Sequence, residues 1–217
     1  MWTILQKDLR LELRTKEALS GLIVLVVLIL LTFTFALDPE GAVAAAPAVL
    51  WVTIVFAGLL AVQRAFVVER ENGSWHGLLL SPIERGAIFA AKMAGNVIVL
   101  AVAQCALTLL LMLFLGLRPP PALLAFVLVN ALGLIGFSAL ATLFAAISVR
   151  LRAREMMLPL LVLPLLVPVV ICAVEASRIL LMGGSAASAG VWLRVLAAFD
   201  VIVTVAGWML FEQLVVE

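Results

Sequence analysis

Long apolar runs, each near the length of a membrane crossing, alternate along the chain with short polar or turn-forming breaks. A helix rises ~1.5 Å per residue, so about 20 apolar residues cross a hydrocarbon core of roughly 30 Å. The runs predict spans at 19–37, 46–63, 87–117, 122–149, 156–174 and 192–213. Between them lie DPEG at 38–41, a polar island at 69–85, RPPP at 118–121, RLRARE at 150–155 and GGSAASAG at 183–190. Each break carries charge or the Gly, Pro and Ser residues that end helices. The expected fold class is an all-α integral membrane protein, one transmembrane domain over 1–217 with six helices.

Composition strengthens this reading. The 217 residues are 66% hydrophobic and 12% charged, against about 45–50% and about 25% in an ordinary soluble domain. A soluble fold cannot bury that much apolar surface, whereas lipid solvates outward side chains. The formal net charge of +1 argues against a nucleic-acid partner, because no basic face dominates.

Lysine and arginine set the expected orientation. Lys7, Arg10, Arg14 and Lys16 precede the first span, Arg64, Arg70, Arg85 and Lys92 flank the second-to-third connection, and Arg150, Arg152 and Arg154 fill the fourth-to-fifth. These are 11 of the 14 basic residues, all on one side of a six-span chain, leaving Arg118, Arg178 and Arg194 on the other. Both termini and the island are expected to be cytoplasmic. The first run also has the form of a signal peptide, but its long apolar stretch and the lack of a small-x-small site favour an uncleaved span.

Residues 1–18 are amphipathic rather than spanning. Trp2, Leu5, Leu9 and Leu13 share one helical face and Lys7, Arg10 and Arg14 another, with Ile4 and Leu11 off the apolar stripe. This pattern predicts a helix in the headgroup layer, basic side chains toward anionic lipid; a plain charged leader is the alternative.

No catalytic set is visible. His76 is the one histidine, without acids or cysteines at metal-ligand spacing, and GxxxxGK[ST] is absent, so the chain is expected to be neither an enzyme nor a metal protein. Cys105 and Cys172 lie inside apolar runs and read as small core residues.

The island, ERENGSWHGLLLSPIER, has a legible shape. Asn72-Gly73 marks a turn, Ser74 caps a short helix from Trp75 through Leu78, Leu79 and Leu80, and Ser81, Pro82 and Glu84 form a capping box for the next helix. A short helix with an apolar face between charges is either a docking knob for a soluble partner or a connector tucked against the span ends.

These residues carry a resemblance. Glu69 or Glu71, Gly73-Ser74, Leu78 to Leu80, Pro82 and the following Lys92 resemble the coupling segment of type-2 ABC exporter permeases, placed here at 64–86. APAVLWVTIVFAGLLAVQRAF at 46–66 and LLVLPLLVPVVI at 160–171 are similar to spans of the haem-exporter B permease of cytochrome c maturation, the CcmB family. The resemblance covers nearly the whole chain and implies type-2 ABC exporter architecture in the bacterial inner membrane, with both termini inside. It makes Glu69, Glu71, Gly73, Ser74, Trp75, Leu78, Leu79 and Pro82 the contact to a separate ATPase subunit of A type. The further partners it implies are a C-type haem-handling membrane protein, a small D-type subunit and a periplasmic haem chaperone, with haem as cargo and ATP bound by the ATPase. The second transmembrane half is either another copy of this chain, a homodimer, or a different subunit.

Polar and helix-breaking residues inside the spans complete the picture. Pro159, Pro164 and Pro168 deprive the fifth span of backbone donors and predict a bend, read either as a conformational hinge or as packing against a curved neighbour. Glu175 and Arg178 are spaced to pair, and the resemblance implies a short outer helix there. Gly133, Gly136 and Ala139 give the fourth span a small face for close packing. Asp200 is the sharpest intramembrane charge, either in a polar pathway or bonded within the bundle, with Thr204 at i+4 as the candidate partner. With no Tyr and His76 in the island, haem ligation is assigned to a partner. Two other readings stay open: a type-2 exporter of lipid, polysaccharide or drug, and a non-transporting membrane scaffold.

Overall fold

The computed structural model describes residues 17–71, 84–148 and 154–214, and all of its regular structure is helical. The helices are α1 (Glu17–Ala36), α2 (Pro39–Glu71), α3 (Arg85–Leu115), α4 (Leu123–Ser148), α5 (Arg154–Leu181) and α6 (Ala186–Leu214). Five of them, α2 to α6, are long and apolar enough to cross a membrane, and α1 adds a sixth apolar helix of 20 residues. The amphipathic segment expected at 1–18 lies almost wholly outside the described residues.

Breaks fall where the turn chemistry predicts, with shifted boundaries. Only Leu37 and Asp38 separate α1 from α2. Pro39 starts α2 because its missing N–H is one that a first helical turn leaves unbonded anyway, and the Asp38 carbonyl accepts from Ala42 N (2.8 Å). The second span therefore begins seven residues before the predicted 46. At the end of α3, Gly116 adopts φ 62° and its N–H bonds Met112 O, ending the helix ahead of the proline run. The sixth helix starts at Ala186, not 192, because Ser185 sits at its head and accepts from Ser188 N through its side chain (3.3 Å).

The fifth helix departs most from expectation. It runs unbroken from Arg154 to Leu181 through Pro159, Pro164 and Pro168, instead of stopping near 174 before a separate outer helix. Glu175 and Arg178 do pair, at 2.6 Å, but on the last turns of this same helix. Nothing in AVEASRILL stops a helix, and the break waits for Gly183, which takes φ 86°. Pro164 and Pro168, at i and i+4, are exposed, so their rings lie on one outward face.

The core sits around α4, which packs against α2, α3, α5 and α6. Residues 136–143 of α4 are buried without interruption, so this half of the helix is enclosed on every side, whereas its first turns, at Leu123, Leu124, Val127 and Leu128, are exposed. By contrast, α1 packs mainly against α2 and α3. A bundle in lipid gains little from apolar burial as such, and close backbone approach at small residues takes its place.

Candidate functional site

Length places the first part of the site. At ~1.5 Å per residue the 33 residues of α2 extend about 50 Å, some 20 Å more than a hydrocarbon core. Arg64 is the first charged residue after Glu40, so 64–71 continue α2 past its uncharged section as a helical stalk that ends with Glu69 and Glu71. The segment expected as a connector from 64 is thus helix for its first two turns. Gly73, Ser74, Trp75, Leu78, Leu79 and Pro82 lie outside the described residues, as does the short helix expected there.

On the far side of that segment, α3 begins at Arg85. Glu84 stands at the N-cap position (φ −54°, ψ 132°) and makes no side-chain cap bond. This corrects the capping box: with the helix starting at 85, Glu84 is three residues too early to reach back from the first turn to Ser81.

The opening turns of α3 are fastened to the closing turns of α6. Gly86 lies under the Trp208 ring, where a Cβ would overlap the indole. One turn on, Phe89 presses on Gly207, where an added Cβ would come 2.5 Å from Phe89 Cζ, and the Phe89 and Phe211 rings meet at 5.7 Å. Two glycines and three aromatics thus interlock, each glycine of one helix admitting an aromatic of the other. Packed interfaces of this kind shift as units rather than deform smoothly, so a displacement of the α3 head moves the α6 tail with it.

Further along α6, Asp200 is 5% exposed, and neither carboxylate oxygen has a hydrogen-bond partner. The expected bond to Thr204 is absent; instead Asp200 occupies a notch over Gly136 of α4, where a Cβ would stand 2.5 Å from Oδ1, with Phe199 and Val169 alongside. The small face predicted on α4 is real and receives two neighbours. Gly136 takes Asp200, and Gly133 takes the ring of Trp51, whose Nε1 donates to Ser177 Oγ on α5 (3.0 Å).

Several polar groups were missed by the sequence reading. Asn96 Nδ2 donates to Thr142 Oγ1 (2.9 Å), and Gln104 Nε2 donates to Asn130 Oδ1, two links that tie α3 to α4. Asn130 also donates to Phe126 O (2.6 Å). Lys92, counted as a flank of the island, is buried two turns inside α3. The available signal was polarity inside an apolar run, the one that singled out Asp200. Cys172 is buried as expected, but Cys105 is exposed on the outer face of α3, a correction to its reading as a core residue.

A bundle of long apolar helices, with Asn96, Gln104, Asn130, Thr142 and Asp200 set between helices, defines an all-α multi-pass membrane protein. The CcmB protein family matches residues 1–211. Among characterised proteins, Heme exporter protein B of Paracoccus denitrificans is 33% identical over 182 residues, 82% of each chain. That of Rhodobacter capsulatus is 31% identical over 180 residues, again 82% of each. That of Pseudomonas aeruginosa is 30% identical over 205 residues, 93% of this chain and 91% of its own. The chain belongs to the CcmB family.

Proposed function

We propose that this chain is the transmembrane permease of an ATP-driven complex that delivers haem for c-type cytochrome assembly, in a bacterial inner membrane with both termini in the cytoplasm. Membership of the CcmB family supports the cargo, and the segregation of 11 of 14 basic residues supports the direction. An A-type ATPase subunit binds the segment at 64–86. The C-type and D-type membrane subunits and a periplasmic chaperone receive and carry haem.

One observation carries the mechanism: the two helix ends that flank residues 72–84 are a stalk that continues α2 and a head of α3 locked to α6. When nucleotide closes the ATPase dimer, the push on Gly73, Ser74, Trp75, Leu78, Leu79 and Pro82 reaches both ends. Through Gly86–Trp208 and Phe89–Gly207 it passes to α6, and along α6 to Asp200 against Gly136 of α4. Pro159, Pro164 and Pro168 lower the bending stiffness of α5, which packs on both α4 and α6.

Deleting 72–79 tests this reading. The expected result is a chain that still inserts but neither captures the ATPase nor supports cytochrome c assembly. Full capture and full assembly by the deleted chain would overturn it.

A further inference from the structure

The outward side of α5 carries a continuous seam. Leu160, Pro164, Val167, Ile171, Glu175 and Arg178 recur at spacings of three and four residues, which places them on one face of the helix, and each is at least partly exposed. α5 meets α2, α4 and α6 through its other side, so among the described residues nothing covers this seam.

Its outer end is charged. Arg178 spends both Nε and Nη2 on the same oxygen, Glu175 Oε2 (3.0 and 2.6 Å). Arg178 Nη1 and Glu175 Oε1 are left unused, on side chains 46% and 33% exposed, so a neighbour can reach them. Ile179, Leu180, Leu181 and Met182 follow before the turn at Gly183. The pair therefore stands inside the end of an apolar helix, where charge is costly to leave against lipid.

We infer that a second copy of this chain packs on this seam, α5 against α5, about a two-fold axis along the membrane normal. Two copies inserted in the same direction hold these helices parallel and at one height, and each contact occurs twice. Arg178 of each copy then stands about one turn above Glu175 of the other. The unused Nη1 of one meets the unused Oε1 of the other, closing four charges into a ring of alternating sign. No other outward face of the bundle is self-complementary in this way. Along 18–36 of α1, 41–63 of α2, 86–115 of α3 and 123–148 of α4 the one charge is Lys92, which is buried. On α6 the outward charge is Arg194 alone, and its copy would bring arginine against arginine. The inference rests on the proposed permease role, in which an ATPase dimer takes two transmembrane halves; it adds that both halves are this chain and where they meet.

A photoreactive residue at Val167 or Ile171, in the otherwise native chain in its own membranes, tests it, with the exposed Val102 on α3 and Ile202 on α6 as controls. The expected result is adducts of twice the chain mass from 167 and 171, joining residues 154–181 of both copies, and none from 102 or 202. Glu175→Gln should lower that yield at least about threefold at unchanged folded yield. Glu175→Arg combined with Arg178→Glu keeps the seam self-complementary and should restore it. Adducts to lipid alone, adducts to a different protein, a yield indifferent to Glu175→Gln, or no recovery in the exchanged pair would overturn it. Capture of the ATPase is scored separately on the same membranes. Its loss with the self-adducts intact counts against the proposed function, whereas intact capture without self-adducts counts against the seam alone.

Discussion

Trp51 and Trp208 each press an indole on a glycine of another helix, Gly133 and Gly86, yet the two contacts do different work. Trp51 is 1% exposed, closed in by α2, α4 and α5, and anchored by its bond to Ser177. Trp208 is 38% exposed and stands at the end of the bundle where the chain enters α3 from the island. On the proposed function, the same device of a glycine under an aromatic ring is a fixed pivot in one place and a clasp on a moving part in the other. What separates them is how many helices close around the ring.

The largest effect that would break this contrast is at the pivot. Trp51→Ala empties a fully enclosed site and should cost about 3–5 kcal/mol, seen as loss of folded protein in detergent. Gly133→Ala comes next: its Cβ overlaps the Trp51 ring, and overpacking of this kind costs about 1–3 kcal/mol, read as a lower thermal midpoint.

At the clasp the order of stability and function should invert. Trp208→Ala removes a half-exposed ring and should cost about 1 kcal/mol of stability. Cytochrome c assembly should nevertheless fall by roughly tenfold, a change of about 1.4 kcal/mol, while the ATPase still binds. Equal losses of folding and assembly at Trp51 and Trp208 would erase the distinction between them.

How much of this was legible in the sequence depends on what a residue's effect is made of. The spans were readable because length and apolarity set them, and RPPP and Gly183-Gly184 mark real ends. Asp200 and the small face at Gly133, Gly136 and Ala139 stood out as exceptions to an apolar background. The partners of these residues were not readable. Helices that are apolar all round carry no period to say which side meets which neighbour, so Trp51 over Gly133 and Trp208 over Gly86 emerge only with the packing. The same holds for Cys105, whose apolar context is identical inside a bundle and facing lipid. The excess length of α2 was hidden for another reason: the first charge, Arg64, ends the apolar run in the sequence, but the backbone stays helical through charged residues to Glu71.

The finest contrast lies between α4 and α6. If Asp200 stays in its notch only because Gly136 has no side chain, the two positions must be energetically coupled. Gly136→Ala alone drives a Cβ to 2.5 Å from Asp200 Oδ1 and destabilises the chain. In an Asp200→Ala background that oxygen is gone, and Phe199 and Val169, each 3.5 Å from the new methyl, leave room for it. The double-mutant cycle should therefore return a coupling of about 0.5–1 kcal/mol, the lower part of the range for residues in contact. Asp200→Asn, which keeps the shape of the group, should stay near the parent in stability. Additive losses within about 0.3 kcal/mol would mean that Asp200 and Gly136 act independently, and the path from the clasp would then end on α6 without reaching α4.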